Sequence, residues 1–108
     1  MKKIVIISPH LAEAEQVARD LLARRDYVMQ SRSRNAIFAR EYMGPERVII
    51  AICGPSSAAS HLNGAGDIEV VFPDNYLSWK LPPGVLTNAW QAARIAAHRG
   101  PTGRITFA

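Results

Sequence analysis

The sequence predicts a single three-layer α/β/α domain spanning residues 1–108, with a mostly parallel sheet of four to five strands between two helical layers. Three observations support this fold class. The chain has 108 residues, 48% of them hydrophobic, which suffices for one small core. Short β-branched runs alternate with segments of helical periodicity. The two strongest runs, residues 3–7 and Arg47–Cys53, are apolar at successive positions, which is typical of parallel strands covered on both faces.

The first strand and the first helix are predicted from residues 3–25. Residues 3–7 form a β-branched run that Ser8-Pro9 ends. Ser8 is expected to cap a helix with Pro9 at its first position, where the missing N–H costs nothing. The apolar stripe of this helix continues to Arg25. Residues 27–30 predict a short second strand.

A second helix is expected after Ser33, which has the side chain of a helix cap. Ile37, Phe38 and Tyr42 recur at a spacing compatible with one helical face. Gly44-Pro45 is a common helix end, so the helix is expected to stop there.

The second half of the chain continues the alternation of strands and helices. Arg47–Cys53 predicts the third strand, and Ala58–Leu62 a short helix that residues 63–66 end. Ile68–Phe72 predicts the fourth strand, and residues 76–84 an irregular segment. Right-handed βαβ connections would join these strands into one sheet.

The last predicted elements are a helix and an edge strand. Thr87 is expected to cap the helix, and Gly100-Pro101 to end it. Its apolar stripe consists of Leu86, Trp90, Ala93 and Ala97. The alanine-rich turns permit close helix packing, so a homodimer is one expectation. Arg104–Phe107 predicts a final edge strand.

Several classes of protein are excluded or disfavoured by composition. Cys53 is the only cysteine, which excludes an intramolecular disulfide and a structural zinc site built on cysteines. The three histidines lack the spacing of common metal motifs, so neither a metal nor another cofactor is expected. No apolar run approaches the roughly 20 residues that span a bilayer. A lone thiol fits a reducing compartment, so we expect a cytoplasmic protein without membrane contact.

Three predicted loops lie at the carboxyl ends of strands, where ligands bind in open α/β sheets. If the strands are parallel, these loops share one edge of the sheet and form a candidate pocket. A Ser-Pro helix cap and ordinary Gly-Pro and Pro-Asp-Asn turns explain the same residues without a ligand. The candidate pocket residues are Ser8, His10, Gly54, Ser56, Ser57, Asp74 and Asn75.

Arginine is the most distinctive electrostatic feature of the chain, which has a formal net charge of +4. Arg favours planar, bidentate partners such as phosphate and carboxylate. Arg32 and Arg34 would stand at the start of the predicted second helix, where the helix dipole disfavours cations, which points to an external partner. A solvated face with internal ion pairs is the alternative. The block comprises Arg19, Arg24, Arg25, Arg32, Arg34, Arg40 and Arg47, of which Arg24, Arg25, Arg32, Arg34 and Arg40 are the candidate partner contacts.

Residues 76–83 form a second candidate surface. Tyr76 and Trp79 with flanking leucines resemble the anchor of a protein interface. The alternative is a loop folded back over the sheet, with Trp79 filling part of the core.

Residues 5–22, which read VIISPHLAEAEQVARDLL, are similar to the strand, Ser/Ala-Pro turn and helix of RecA-like helicase domains. The chain also resembles small phage accessory proteins built on a reduced P-loop-like sheet. The resemblance implies a Rossmann-like or RecA-like fold. The family's Gly-Lys-Ser/Thr motif is missing, and Phe72-Pro73-Asp74 stands where its Asp-Glu pair would follow a strand. The resemblance therefore implies a domain that has lost ATP hydrolysis.

These observations predict a non-catalytic interaction module, and the resemblance implies one of the phage accessory or inhibitor kind. Its partner is expected to be an acidic protein surface or a nucleic acid, bound by the Arg block. The alternative is a small nucleotide- or phosphate-binding protein, or a modest enzyme, that uses the strand-end loops.

Overall fold

Six strands form one mixed sheet in the computed structural model, which describes residues 2–62 and 67–108. The spatial order is β2-β3-β4-β1-β5-β6. Strands β4, β1, β5 and β6 are mutually parallel, whereas β2 pairs antiparallel with β3, and β3 with β4. The α/β class is confirmed, but the sheet is larger and less parallel than predicted. The strands are β1 (Lys2–Ile7), β2 (Tyr27–Arg32), β3 (Ala36–Glu41), β4 (Arg47–Cys53), β5 (Ile68–Phe72) and β6 (Arg104–Phe107).

Helices cover both faces of this sheet. Helix α1 (Leu11–Arg24) packs on one face, where its buried side chains meet β1, β3 and β4. Helices α2 (Ala58–Leu62) and α3 (Val85–Ala97) pack on the other face against β1, β5 and β6. Short 3-10 turns, Pro55–Ser57 and Tyr76–Ser78, precede α2 and α3. The predicted stop at residues 63–66 lies outside the described residues.

The predicted second helix is wrong, because residues 36–41 form strand β3. Ile37 and Ala39 are buried against the α1 layer, while Phe38 and Arg40 are exposed, which is the two-residue alternation of a strand. Ser33 belongs to the hairpin turn, where its N–H donates to the Ala36 carbonyl at 2.9 Å. Arg32 therefore ends strand β2 and Arg34 lies in the following turn, so the predicted position of both at a helix start is wrong.

Strand β1 is the centre of the core. Its last four residues are fully buried, with Ile4 and Ile6 facing α1, and Val5 and Ile7 facing α2 and α3. Because β4 and β5 flank β1 in parallel, the predicted assignment of β-branched runs to parallel strands is confirmed here. The predicted edge strand Arg104–Phe107 is confirmed as well.

Helix α3 begins earlier than its predicted cap at Thr87. Gly84 has φ of +83°, a left-handed conformation that glycine adopts without strain, and the helix follows at Val85. The alanines Ala89, Ala93 and Ala96 are buried against the domain's own sheet. This stripe is therefore covered within one chain. Among residues 2–62 and 67–108, no helix is long and apolar enough to cross a membrane.

Candidate functional site

The three candidate loops lie on one edge of the sheet, because each follows one of the parallel strands β1, β4 and β5. Ser8 is buried, and its N–H donates to the Cys53 carbonyl at 3.0 Å, which joins the first two loops. His10, Asp74 and Asn75 are exposed. The three loops therefore share one edge of the sheet, as the order of elements predicts.

Glu13, which the sequence analysis did not single out, is the centre of this edge. Ser8 Oγ donates to Glu13 Oε1 at 2.7 Å, and Asn75 Nδ2 donates to Glu13 Oε2 at 2.8 Å. The His10 N–H donates to Ser8 Oγ at 3.1 Å. Glu13 occupies the first turn of α1, where a carboxylate complements the helix dipole, and that position is the signal that could have identified it.

The electrostatics of Glu13 disfavour a phosphate at this edge. Burial raises the pKa of Glu13, but hydrogen bonds from Ser8 and Asn75, together with the nearby His10, outweigh burial and hold the pKa below its ordinary value. A carboxylate therefore already occupies the positive end of α1, where it would repel an anion. The buried Trp79 Nε1 approaches Glu13 but completes no hydrogen bond with good geometry. The adjoining cavity, of about 340 Å³, is lined by Pro9, His10, Asn75, Ser78, Trp79, Lys80 and Leu81.

The loop after β4 is a turn satisfied by its own backbone. The Ser57 N–H and Oγ both donate to the Gly54 carbonyl, at 3.2 and 3.3 Å, while Ser56 is exposed. Cys53, at the end of β4, is buried, and burial raises the pKa of its thiol to about 11. Its reactive thiolate is therefore scarce at neutral pH.

Two of the candidate arginines are bound within the domain. Arg25 Nη1 and Nη2 donate to Glu69 Oε1 and Oε2 at 2.6 and 2.7 Å, and Arg32 pairs with Glu15 of α1. Arg24, Arg34 and Arg40 are exposed, and none has an ion pair among the described residues. The Arg block is therefore divided between structural roles and free surface.

Tyr76 and Trp79 belong to an aromatic cluster at the end of β5. Tyr76 stacks on Trp90 with ring centroids 6.1 Å apart, and lies 5.6 Å from the fully buried Phe72. Trp79 contacts Tyr76 edge-on at 6.4 Å. Both residues are half-buried, so much of their surface anchors the irregular segment to the domain.

Among the described residues, no helix packs on β2 and β3 on the sheet face opposite α1. Helices α2 and α3 pack on β1, β5 and β6, and their layer stops short of β2 and β3. Side chains that point away from α1 on β2, β3 and the first half of β4 are consequently accessible, whereas Ala51 and Cys53 near the end of β4 pack with α2 and α3. We call this region, with the adjacent Lys3, the open sheet face; its residues are Lys3, Val28, Phe38, Arg40, Arg47 and Ile49.

The strand register arranges the open sheet face in two rows. Arg40 pairs with Val28 on one side and with Arg47 on the other. In the second row, Ile49 pairs with Phe38 on one side and with Lys3 on the other. Val28 and Phe38 are 43% and 41% exposed, so both rows of the open sheet face present apolar surface to solvent.

The charge of the open sheet face is uniformly positive. Arg40 and Arg47 stand directly opposite each other, and like charges in that position destabilise a sheet. Neither forms an ion pair with a carboxylate in the described part of the chain. The nearby Glu41 and Glu46 line a different cavity, together with Lys2 and Glu69.

The comparisons with known proteins concern the fold. No protein-family model and no curated protein sequence matches the chain. Among solved structures, the large terminase from a thermophilic bacteriophage is similar, with a TM-score of 0.59 and 14% sequence identity. The chain shares its fold with part of a phage large terminase. The likeness covers 98% of this chain and 25% of the terminase chain, so the chain spans about a quarter of that protein's length.

Proposed function

We propose that this chain is a non-catalytic interaction module that binds an acidic macromolecular partner through the open sheet face. The observation that carries the proposal is the opposed pair Arg40 and Arg47, exposed and without carboxylate partners among the described residues, beside accessible apolar side chains. An acidic partner would relieve the repulsion between the two guanidinium groups and cover Phe38. The strand-end loops support a phosphate ligand less well, because Glu13 stands among them.

We also propose that the chain is a reduced RecA-like domain of the kind found in small phage accessory proteins. The likeness to a phage large terminase supports the shape, and the missing Gly-Lys-Ser/Thr motif supports the loss of ATP hydrolysis. A cytoplasmic location, favoured by the lone reduced thiol, belongs to the same proposal.

Reversing the charge of the open sheet face is expected to lower affinity for acidic probes. The double variant Arg40→Glu/Arg47→Glu should bind a labelled polyglutamate peptide or a single-stranded oligonucleotide about tenfold more weakly than the wild type. Fluorescence anisotropy at low and moderate salt measures this change, and wild-type affinity should fall as salt rises.

The matched control is Arg19→Glu/Lys80→Glu, which removes the same positive charge at two other exposed positions. Arg19 belongs to α1, on the opposite face of the sheet. The control should retain affinity within about twofold. Equal losses in both double variants would show that net charge alone attracts the probes, which contradicts the proposal.

A further inference from the structure

The open sheet face includes apolar side chains of the kind that a covering layer buries. Strand β4 is apolar on both sides: Val48 and Ile50 are buried beneath α1, while Ile49 on the other side is only half-buried. Parallel strands of an α/β sheet are ordinarily covered on both faces, and β4 pairs in parallel with β1. The helical layer formed by α2 and α3 therefore ends before it covers this side of β2, β3 and the first half of β4.

The uncovered area has the width of one helix. Neighbouring strands lie about 4.8 Å apart, so β2 and β4 are separated by about 10 Å across β3. An α-helix with its side chains is also about 10 Å wide. Helix α2 contacts β1, the strand next to β4, so an additional helix would lie beside it in the same layer.

Charge selects among the occupants that could fill this place. A second copy of the chain, related by a twofold axis, would set Arg40 and Arg47 against the same arginines. Single-stranded nucleic acid stacks on several aromatic rings, whereas this face offers Phe38 beside the aliphatic Ile49, with the aliphatic Val28 in the neighbouring row. An amphipathic helix with carboxylates beside its apolar stripe matches both the aliphatic surface and the positive charge.

We propose that the partner is a protein that adds an acidic amphipathic α-helix to the open sheet face. The apolar stripe of that helix covers Phe38 and Ile49, and its carboxylates pair with Arg40 and Arg47. This inference rests on the proposed function and specifies the partner class.

Two peptides of identical composition test the inference. One places Leu at i, i+3, i+4 and i+7 with Glu at the remaining positions, and the other scrambles that order so that no apolar stripe forms. The wild-type chain should bind the patterned peptide at least about tenfold more tightly than the scrambled one, because only the former buries Phe38. A single-stranded oligonucleotide of equal charge is measured alongside.

Phe38→Thr removes the exposed ring but retains a β-branched residue in β3, and should reduce the preference for the patterned peptide about tenfold. The matched control Leu77→Thr changes a side chain that is 77% exposed elsewhere, and should preserve the preference. Arg40→Gln/Arg47→Gln should weaken binding of the patterned peptide without altering the apolar surface. Circular dichroism and thermal melting of every variant establish that it is folded.

The alternative outcomes separate the inference from the proposed function. Equal binding of both peptides that is lost in Arg40→Gln/Arg47→Gln retains the acidic-partner function and overturns the helix. Tighter binding of the oligonucleotide than of the patterned peptide would show that the partner is a nucleic acid, which overturns the helix. Self-association that Phe38→Thr abolishes replaces it with a second copy. Failure of the wild type to bind any acidic probe overturns both proposals.

Discussion

Replacing Arg25 by Met is expected to lower the free energy of unfolding by about 3 kcal/mol or more. Glu69 is only 2% exposed near the start of β5, and Arg25 supplies two hydrogen bonds to its carboxylate at 2.6 and 2.7 Å. Thr106 Oγ1 donates a third at 2.6 Å, and the Arg104 guanidinium approaches to 3.4 Å. Met keeps much of the aliphatic length of Arg25 but leaves Glu69 without its principal partner.

Urea unfolding monitored by circular dichroism measures the loss, and a compensating double variant supplies the control. Arg25→Met/Glu69→Leu removes both charges, and replacing a buried ion pair by apolar residues is often close to neutral. The double variant should therefore recover most of the stability lost in Arg25→Met. A loss below about 1 kcal/mol in Arg25→Met would mean that Glu69 is adequately solvated or paired without it.

Acidification is expected to destabilise the fold by about 3 kcal/mol through Glu69. Burial raises the pKa of Glu69, but the hydrogen bonds and charge of Arg25, with Thr106 and Arg104, outweigh it and lower the pKa to about 2. In the unfolded chain the pKa is about 4.3. Because the folded pKa is the lower one, this stabilisation is fully present above about pH 5 and is lost as the pH falls towards 2.

Unfolding free energies measured from pH 7 to pH 2 follow this loss, with Glu69→Gln as the reference. The Gln side chain does not titrate, so the variant begins less stable but should lose about 3 kcal/mol less than the wild type on acidification. Parallel pH profiles for the two proteins would assign acid sensitivity to other carboxylates.

The strands predicted best are those whose sequence is apolar on both faces. Runs of this kind fit few structures other than a buried parallel strand. They form β1, β4 and β5, at residues 3–7, Arg47–Cys53 and Ile68–Phe72. The failure at β3 has a specific cause. Ile37, Phe38 and Tyr42 fit a helical spacing, but Ile37 and Ala39 also alternate with Phe38 and Arg40. This segment forms a strand because it pairs antiparallel with β4, an interaction that local propensity does not reflect.

The candidate site was predictable only in part, because its decisive features are tertiary. Parallel strands bring Ser8, Gly54 and Asp74 to one edge, as the order of elements indicates. Arg25 and Glu69 are 44 residues apart, so their ion pair has no local signal. The open sheet face depends on where α2 and α3 stop, which sequence periodicity does not encode.

Amide chemical-shift mapping with the patterned acidic peptide tests the central claim most directly. On titration of the ¹⁵N-labelled chain, the largest shifts are expected at Val28, Phe38, Arg40, Arg47 and Ile49 on the open sheet face. Shifts concentrated instead at His10 and residues 74–81 would place binding at the strand-end loops. That result would contradict the assignment of partner binding to the open sheet face.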